Sequence, residues 1–177
     1  MRAHVIGNGP SWKNFKKIEE SDFVMGCNKP NIKVDATIIL DLRLFYKLLA
    51  RTEPLILDCA IVTNSKCKAA YDNKNRNKEL INIKDIYDPP AGFKAINSAH
   101  VATLWLIENR YKEIHIWGCD SLLSYDTTST TDTIVQADYY KFKGNKATIE
   151  IVDRWRRKWD LISNSFSCVN LIFHNKE

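Results

Sequence analysis

The stretch Ala3-His4-Val5-Ile6-Gly7-Asn8-Gly9-Pro10-Ser11-Trp12 decides how this chain is read. A short strand-like run, Ala3–Ile6, ends on Gly7. Two glycines one residue apart then allow a tight turn and close backbone approach. Pro10 suits the first position of a helix, and Ser11 offers a hydroxyl or a cap. Strand, glycine turn and helix in this order form the unit that brings a phosphate to a helix N-terminus. A dinucleotide fingerprint would need a third small residue where Trp12 stands, so that variant fails.

Outward from this stretch, apolar runs alternate with helical ones. Asp22–Cys27, Ala36–Leu40, Leu55–Val62, Glu113–Trp117 and Cys168–Phe173 read as further strands. Trp12–Glu19, Leu42–Ala50, Ser98–Asn109 and Ala147–Ser163 read as helices, with Ser98–Asn109 apolar almost all round and therefore buried. Lys66–Lys78 is a surface helix or a loop, and Asp88–Gly92 is a break. Strands joined by helices imply right-handed crossovers and an α/β, Rossmann-like, doubly wound and mainly parallel sheet with helices on both faces. At 177 residues, without repeat or linker, residues 1–177 are expected to form one nucleotide-binding domain. The segment 124–133, SYDTTSTTDT, is polar and aperiodic and is expected to be a mobile loop.

Composition excludes several classes. Five cysteines without a C-x-x-C argue against a disulfide scaffold or zinc ribbon and for a reducing, cytoplasmic setting. No apolar run is long enough to span a membrane, and the first ten residues lack a signal peptide's apolar stretch. The net charge of +5 is carried by residues 141–159, with the rest of the chain neutral. On a helix, Val152, Trp155, Trp159 and Ile162 share one face. Both tryptophans are then expected in the core, which removes the exposed aromatics that nucleic-acid binding would need. No D-x-D occurs and no histidine has metal-ligand spacing, so no metal and no cofactor are expected.

Four segments fall at the edge where the strands end: Gly7–Ser11, Cys27-Asn28, Ile96-Asn97-Ser98-Ala99-His100, and Gly118-Cys119-Asp120. Asn28 can bond a ribose or base, or serve as a turn residue. Asn97 or Ser98 can cap the buried helix, or its N-terminus can hold an anion. Asp120 can orient or deprotonate an acceptor, or be a solvated loop carboxylate. In a parallel sheet all four face one edge.

These motifs resemble the bacterial sialyltransferases that use CMP-sialic acid, in which G-N-G-P-S, C-N, I-T-S-G, and Y-K-E-I leading to G-I-D occur in this order. Here the last pair reads Tyr111-Lys112-Glu113-Ile114, then Gly118-Cys119-Asp120. The G-N-G-P-S motif is shared with a broader group that includes pyrophosphokinase-like proteins and flagellin-modifying glycosyltransferases. The resemblance covers about residues 3–126, with a weaker match over the last helix and strand, and implies a Rossmann-like domain and metal-independent sugar transfer. It implies a nucleotide sugar as donor substrate and a hydroxyl acceptor. It places Asn8 and Ser11 near phosphate and sugar, Asn28 near ribose or base, and Ser98 near the cytidine; Gly7, Gly9 and Asn97, in the same motifs, are expected to belong to the nucleotide site. Tyr125 matches one of the family's phosphate-holding tyrosines. Lys143, with Lys141 and Lys146, stands where the family closes over its donor. The family's general-base histidine is missing: the matching stretch reads Lys143-Gly144-Asn145-Lys146. Asp120 and His100 are the substitutes. A non-catalytic binding protein on the same fold is the competing class, and an assembly of more than one copy stays open.

Overall fold

A computed structural model describes residues 1–49, 58–73, 81–93, 96–120 and 149–174. Its strands are β1 (Arg2–Ile6), β2 (Phe23–Cys27), β3 (Ala36–Ile39), β4 (Ala60–Thr63), β5 (Ile83–Ile86), β6 (Glu113–Trp117) and β7 (Asn170–His174). They form one parallel sheet in the order β5-β4-β3-β2-β1-β6-β7. The helices are α1 (Leu42–Leu49), α2 (Ser65–Asp72), α3 (Ser98–Glu108) and α4 (Ile149–Ser165), with a 3₁₀ turn at Pro10–Asn14. This is the doubly wound α/β architecture that the sequence implied.

The winding follows from which strands are buried on both faces. Val5, Met25, Ile38, Ile114 and Ile116 point to one face and pack with α3 and α4, through Val101, Leu104, Trp159 and Ile162. Their neighbours Ile39 and Ile61 meet Leu44 and Phe45 of α1 and Cys67 of α2 on the other face. Ile6, Val24 and Trp117 meet Trp12 and Phe15 there. Continuous apolar runs, rather than alternating ones, mark strands covered on both sides. After β5 the chain returns through α3, which packs across β1, β2 and β3, and enters the sheet beside β1 as β6. The direction of winding reverses there, and open α/β sheets bind ligands at that crevice.

Three expectations need correction. The first helix is a single 3₁₀ turn, not Trp12–Glu19. Ile83–Ile86 is a strand that the reading of the sequence passed over, so Glu113–Trp117 is the sixth strand and not the fifth. Trp155 is only half-buried, whereas Trp159 is buried. The Leu55–Val62 run is described only from residue 58, where Ala60–Thr63 forms β4. Among the described residues, no helix is long and apolar enough to cross a membrane.

Ile162 ties α4 to the sheet and is fully buried. Ile162→Ala should cost about 2–5 kcal/mol. Urea unfolding at neutral pH measures this, and an unchanged midpoint would mean α4 does not pack as described.

Candidate functional site

The β1 and β6 ends meet in a backbone clasp. Gly7 N–H donates to Trp117 O at 2.8 Å, and Gly9 N–H to Gly118 O at 2.9 Å. Gly118 N–H donates to Ser11 Oγ at 3.0 Å. Ser11 N–H, at the start of the 3₁₀ turn, donates to Asp120 Oδ2 at 3.0 Å. Only glycine fits at these crossings. A Cβ on Gly7 would lie 2.5 Å from Gly118 O, and Gly118 itself sits at φ +67°. Gly9 has φ −72°, so positive φ is not why glycine stands there. A Cβ would instead fall 2.3 Å from Asp120 Oδ2 and 2.7 Å from Gly118 O. The turn is close-packed against its own chain.

Ser11 is 1% exposed, with its hydroxyl inside the clasp. That makes it a structural residue of the turn, against the expectation that it touches the ligand. The Asp120 carboxylate takes the 3₁₀ turn's leading N–H, a position where an anion is favoured.

Beside the clasp lies a set of neutral polar groups. Asn8 Nδ2 donates to Cys27 O at 2.9 Å, joining β1 to the end of β2. Asn28 follows with φ 58°, a left-handed conformation that asparagine tolerates better than most residues. Its N–H donates to Ile38 O at 2.9 Å, and its carbonyl accepts from Thr37 Oγ1 at 2.7 Å. Ser98 Oγ, on the first turn of α3, reaches Asn28 Oδ1 at 3.4 Å. Asn31, which the sequence reading missed, has Nδ2 at 3.5 Å from Asn8 Oδ1. Asn8, Asn28 and Ser98 are thus gathered at one edge, and their half-buried side chains line it.

Asn97 and His100 serve α3 instead. Asn97 Oδ1 accepts from His100 N–H at 3.1 Å, and His100 Nδ1 accepts from Asn97 N–H at 3.2 Å. This reciprocal cap uses a histidine where glutamate or glutamine is usual. With Nδ1 accepting, His100 Nε2–H donates to Trp155 O at 3.0 Å. The ring is 0% exposed and lies 4.2 Å from the Trp159 ring. Burial pushes its pKa down to about 3. His100 is therefore corrected from candidate base to a structural pin between α3 and α4, because both ring nitrogens are engaged within the fold. Capping Asn97 keeps its place at the helix start, while the Ser98 and Ala99 N–H groups of the first turn have no partner within the helix.

Tyr125, Lys143 and the 124–133 segment lie outside the described residues.

No family model matches the chain, and no curated protein matches it. Among solved structures, the chain resembles the sialyltransferase CstII from Campylobacter jejuni, studied in complex with the substrate analogue CMP-3FNeuAc. The TM-score is 0.58 at 15% identity, covering 98% of this chain and 80% of that one. At that identity the likeness establishes a shared sialyltransferase-like fold.

Two outcomes are expected. Gly9→Ala should destabilise by about 1–3 kcal/mol through overpacking against Asp120; unchanged thermal unfolding would refute the clasp. His100 stays neutral in the fold down to about pH 3 but charges near 6.5 when unfolded. Its contribution is therefore present above pH 6.5 and lost as pH falls toward 3. His100→Gln keeps an acceptor for the cap and should make stability between pH 7.5 and 4 less pH-dependent. Denaturant midpoints across that range decide it, and an equal slope in both proteins would contradict it.

Proposed function

We propose that the β1/β6 crevice binds a nucleotide sugar of the cytidine type and that the protein is glycosyltransferase-like. The observation that carries this is the meeting of Asn8, Asn28 and Ser98 where the winding reverses, on a fold shared with CstII. Neutral amides and a hydroxyl suit the uncharged hydrogen-bonding groups of a ribose, base or sugar. The Ser98 and Ala99 N–H groups, which have no partner within their helix, suit a phosphate. Gly7 and Gly9 act through the clasp, and Asn97 through the cap. Tyr125 and Lys143 are proposed to contact the phosphate from the segment that follows Asp120. The absence of D-x-D from the sequence favours binding without metal.

Transfer to a hydroxyl acceptor needs a base within hydrogen-bond reach. Asp120 is the carboxylate at the crevice, and one of its oxygens is already held by Ser11. Asp120→Asn keeps an acceptor for that N–H, so it separates chemistry from folding. A non-catalytic binder on the same fold is the second reading, favoured by the locked state of His100.

Calorimetry in EDTA with CMP, UMP, GMP and AMP is the test. CMP should bind best, and Ser98→Ala or Asn28→Ala should weaken it by about 1 kcal/mol or more. Binding of a purine nucleotide alone would overturn the cytidine reading. With binding confirmed, release of CMP from CMP-sialic acid above a no-protein control, lost in Asp120→Asn, supports the transferase. No release supports the binder.

A further inference from the structure

Three histidines gather on the sheet face opposite α3 and α4, and the proposed function uses none of them. His4 on β1 and His115 on β6 are register partners, with ring centroids 5.2 Å apart. His174, at the end of β7, is paired in register with Trp117. His4 is 0% exposed and His115 5% exposed.

The partners assign the protons. Trp117 Nε1–H donates to His4 Nδ1 at 3.3 Å, so His4 carries its hydrogen on Nε2 and gives it to Asp22 Oδ2 at 3.1 Å. His115 Nε2 faces Glu113 Oε1 at 3.0 Å, which makes it a donor. His115 Nδ1 then shares one hydrogen with His174 Nε2 at 2.7 Å. The His174 ring lies flat on Trp117, with centroids 3.7 Å apart and planes 4° apart. Trp117 is thus held by His4 at its N–H and by His174 on its face. Its own carbonyl accepts from Gly7 N–H, and Gly118 follows it in the clasp.

We propose that His4, His115 and His174 form an acid-sensitive latch on Trp117, which fixes the Gly118–Asp120 turn at neutral pH and releases it on acidification. A proton taken up from solvent at His4 Nδ1 sets an N–H against the Trp117 N–H, and that bond is lost. One proton on the His115–His174 pair leaves their shared hydrogen bond intact. A second makes both facing nitrogens donors and drives the rings apart, taking His174 off Trp117.

The charged groups around the cluster set the window. Among the described residues these are Arg2 on β1, Glu19 and Asp22 ahead of β2, and Glu113 on β6. Arg2 ties the three carboxylates together. The 3₁₀ turn's flank supplies the uncharged Phe15, 5.2 Å from His4. Burial holds His4 and His174 below the ordinary histidine range, first by desolvation and for His174 next by His115. Release therefore belongs below about pH 6.5.

The test needs no ligand. Amide exchange, expressed as protection factors, is measured at pH 7.5 and 5.0 on the whole protein. The α3 amides serve as the internal reference against global destabilisation. Protection of Gly118, Cys119, Asp120 and the β7 amides should fall about tenfold or more relative to α3. In His4→Gln/His174→Phe, which keeps a ring on Trp117 and a donor for Asp22, that relative fall should disappear. Imidazole nitrogen resonances of the wild-type protein give a second measure, independent of whether the variant folds. His4 and His174 should gain their second N–H over the same pH interval. A constant ratio in the wild type would overturn the proposal. So would the same fall in the variant, or loosening while the imidazoles remain neutral.

Discussion

Where β1 and β6 run out side by side, two glycine turns cross at backbone contact distance. Gly7 and Gly9 donate to the carbonyls of Trp117 and Gly118, and Gly118 donates back to the buried Ser11 hydroxyl. Any side chain at Gly7 or Gly118 would occupy the other strand's backbone. The crossing lies where the winding of the sheet reverses. It also decides where Asp120 stands, since Ser11 N–H holds that carboxylate at the head of the 3₁₀ turn.

The polar groups beside that crossing are set by neighbouring strand ends. Asn8 reaches across to the β2 carbonyl of Cys27, and Asn28 is pinned to β3 from both its N–H and its carbonyl. α3 arrives over the same edge because it must cross β3, β2 and β1 to deliver β6. That brings Ser98 to Asn28. This juxtaposition is thus a consequence of the return crossover and not of any one motif. His100 pins α3 to Trp155 and Trp159 of α4.

Much of this was legible in the sequence where burial is two-sided. Glu113–Trp117 and Ala3–Ile6 stand out because apolar residues on both faces leave little ambiguity, and Ser98–Asn109 because its apolar surround admits only a covered helix. Ile83–Ile86 escaped because it is an edge strand: Lys84 and Asp85 are exposed, and even Ile86 is 44% exposed. Gly9 stands out in the sequence as a turn glycine, but the contact that requires it is not local, because no local pattern reveals a carboxylate more than a hundred residues away. Asn97-x-x-His100 did not read as a capping box because histidine is not its usual third partner. Asn31 lacked any periodic context, and its place beside Asn8 depends on the β2–β3 turn.

The proposed function requires that Asn8, Asn28, Ser98 and Asp120 surround one ligand position. Amide chemical-shift mapping during addition of CMP, in EDTA, tests it most directly. The largest shifts should cluster on the Gly7–Ser11 turn, Asn28, Ser98–Ala99 and Gly118–Asp120, and saturate together. Saturable shifts confined to the groove at the β5 edge, near Tyr71, Ile83 and Lys84, would contradict it, as would no saturable shift with any nucleotide.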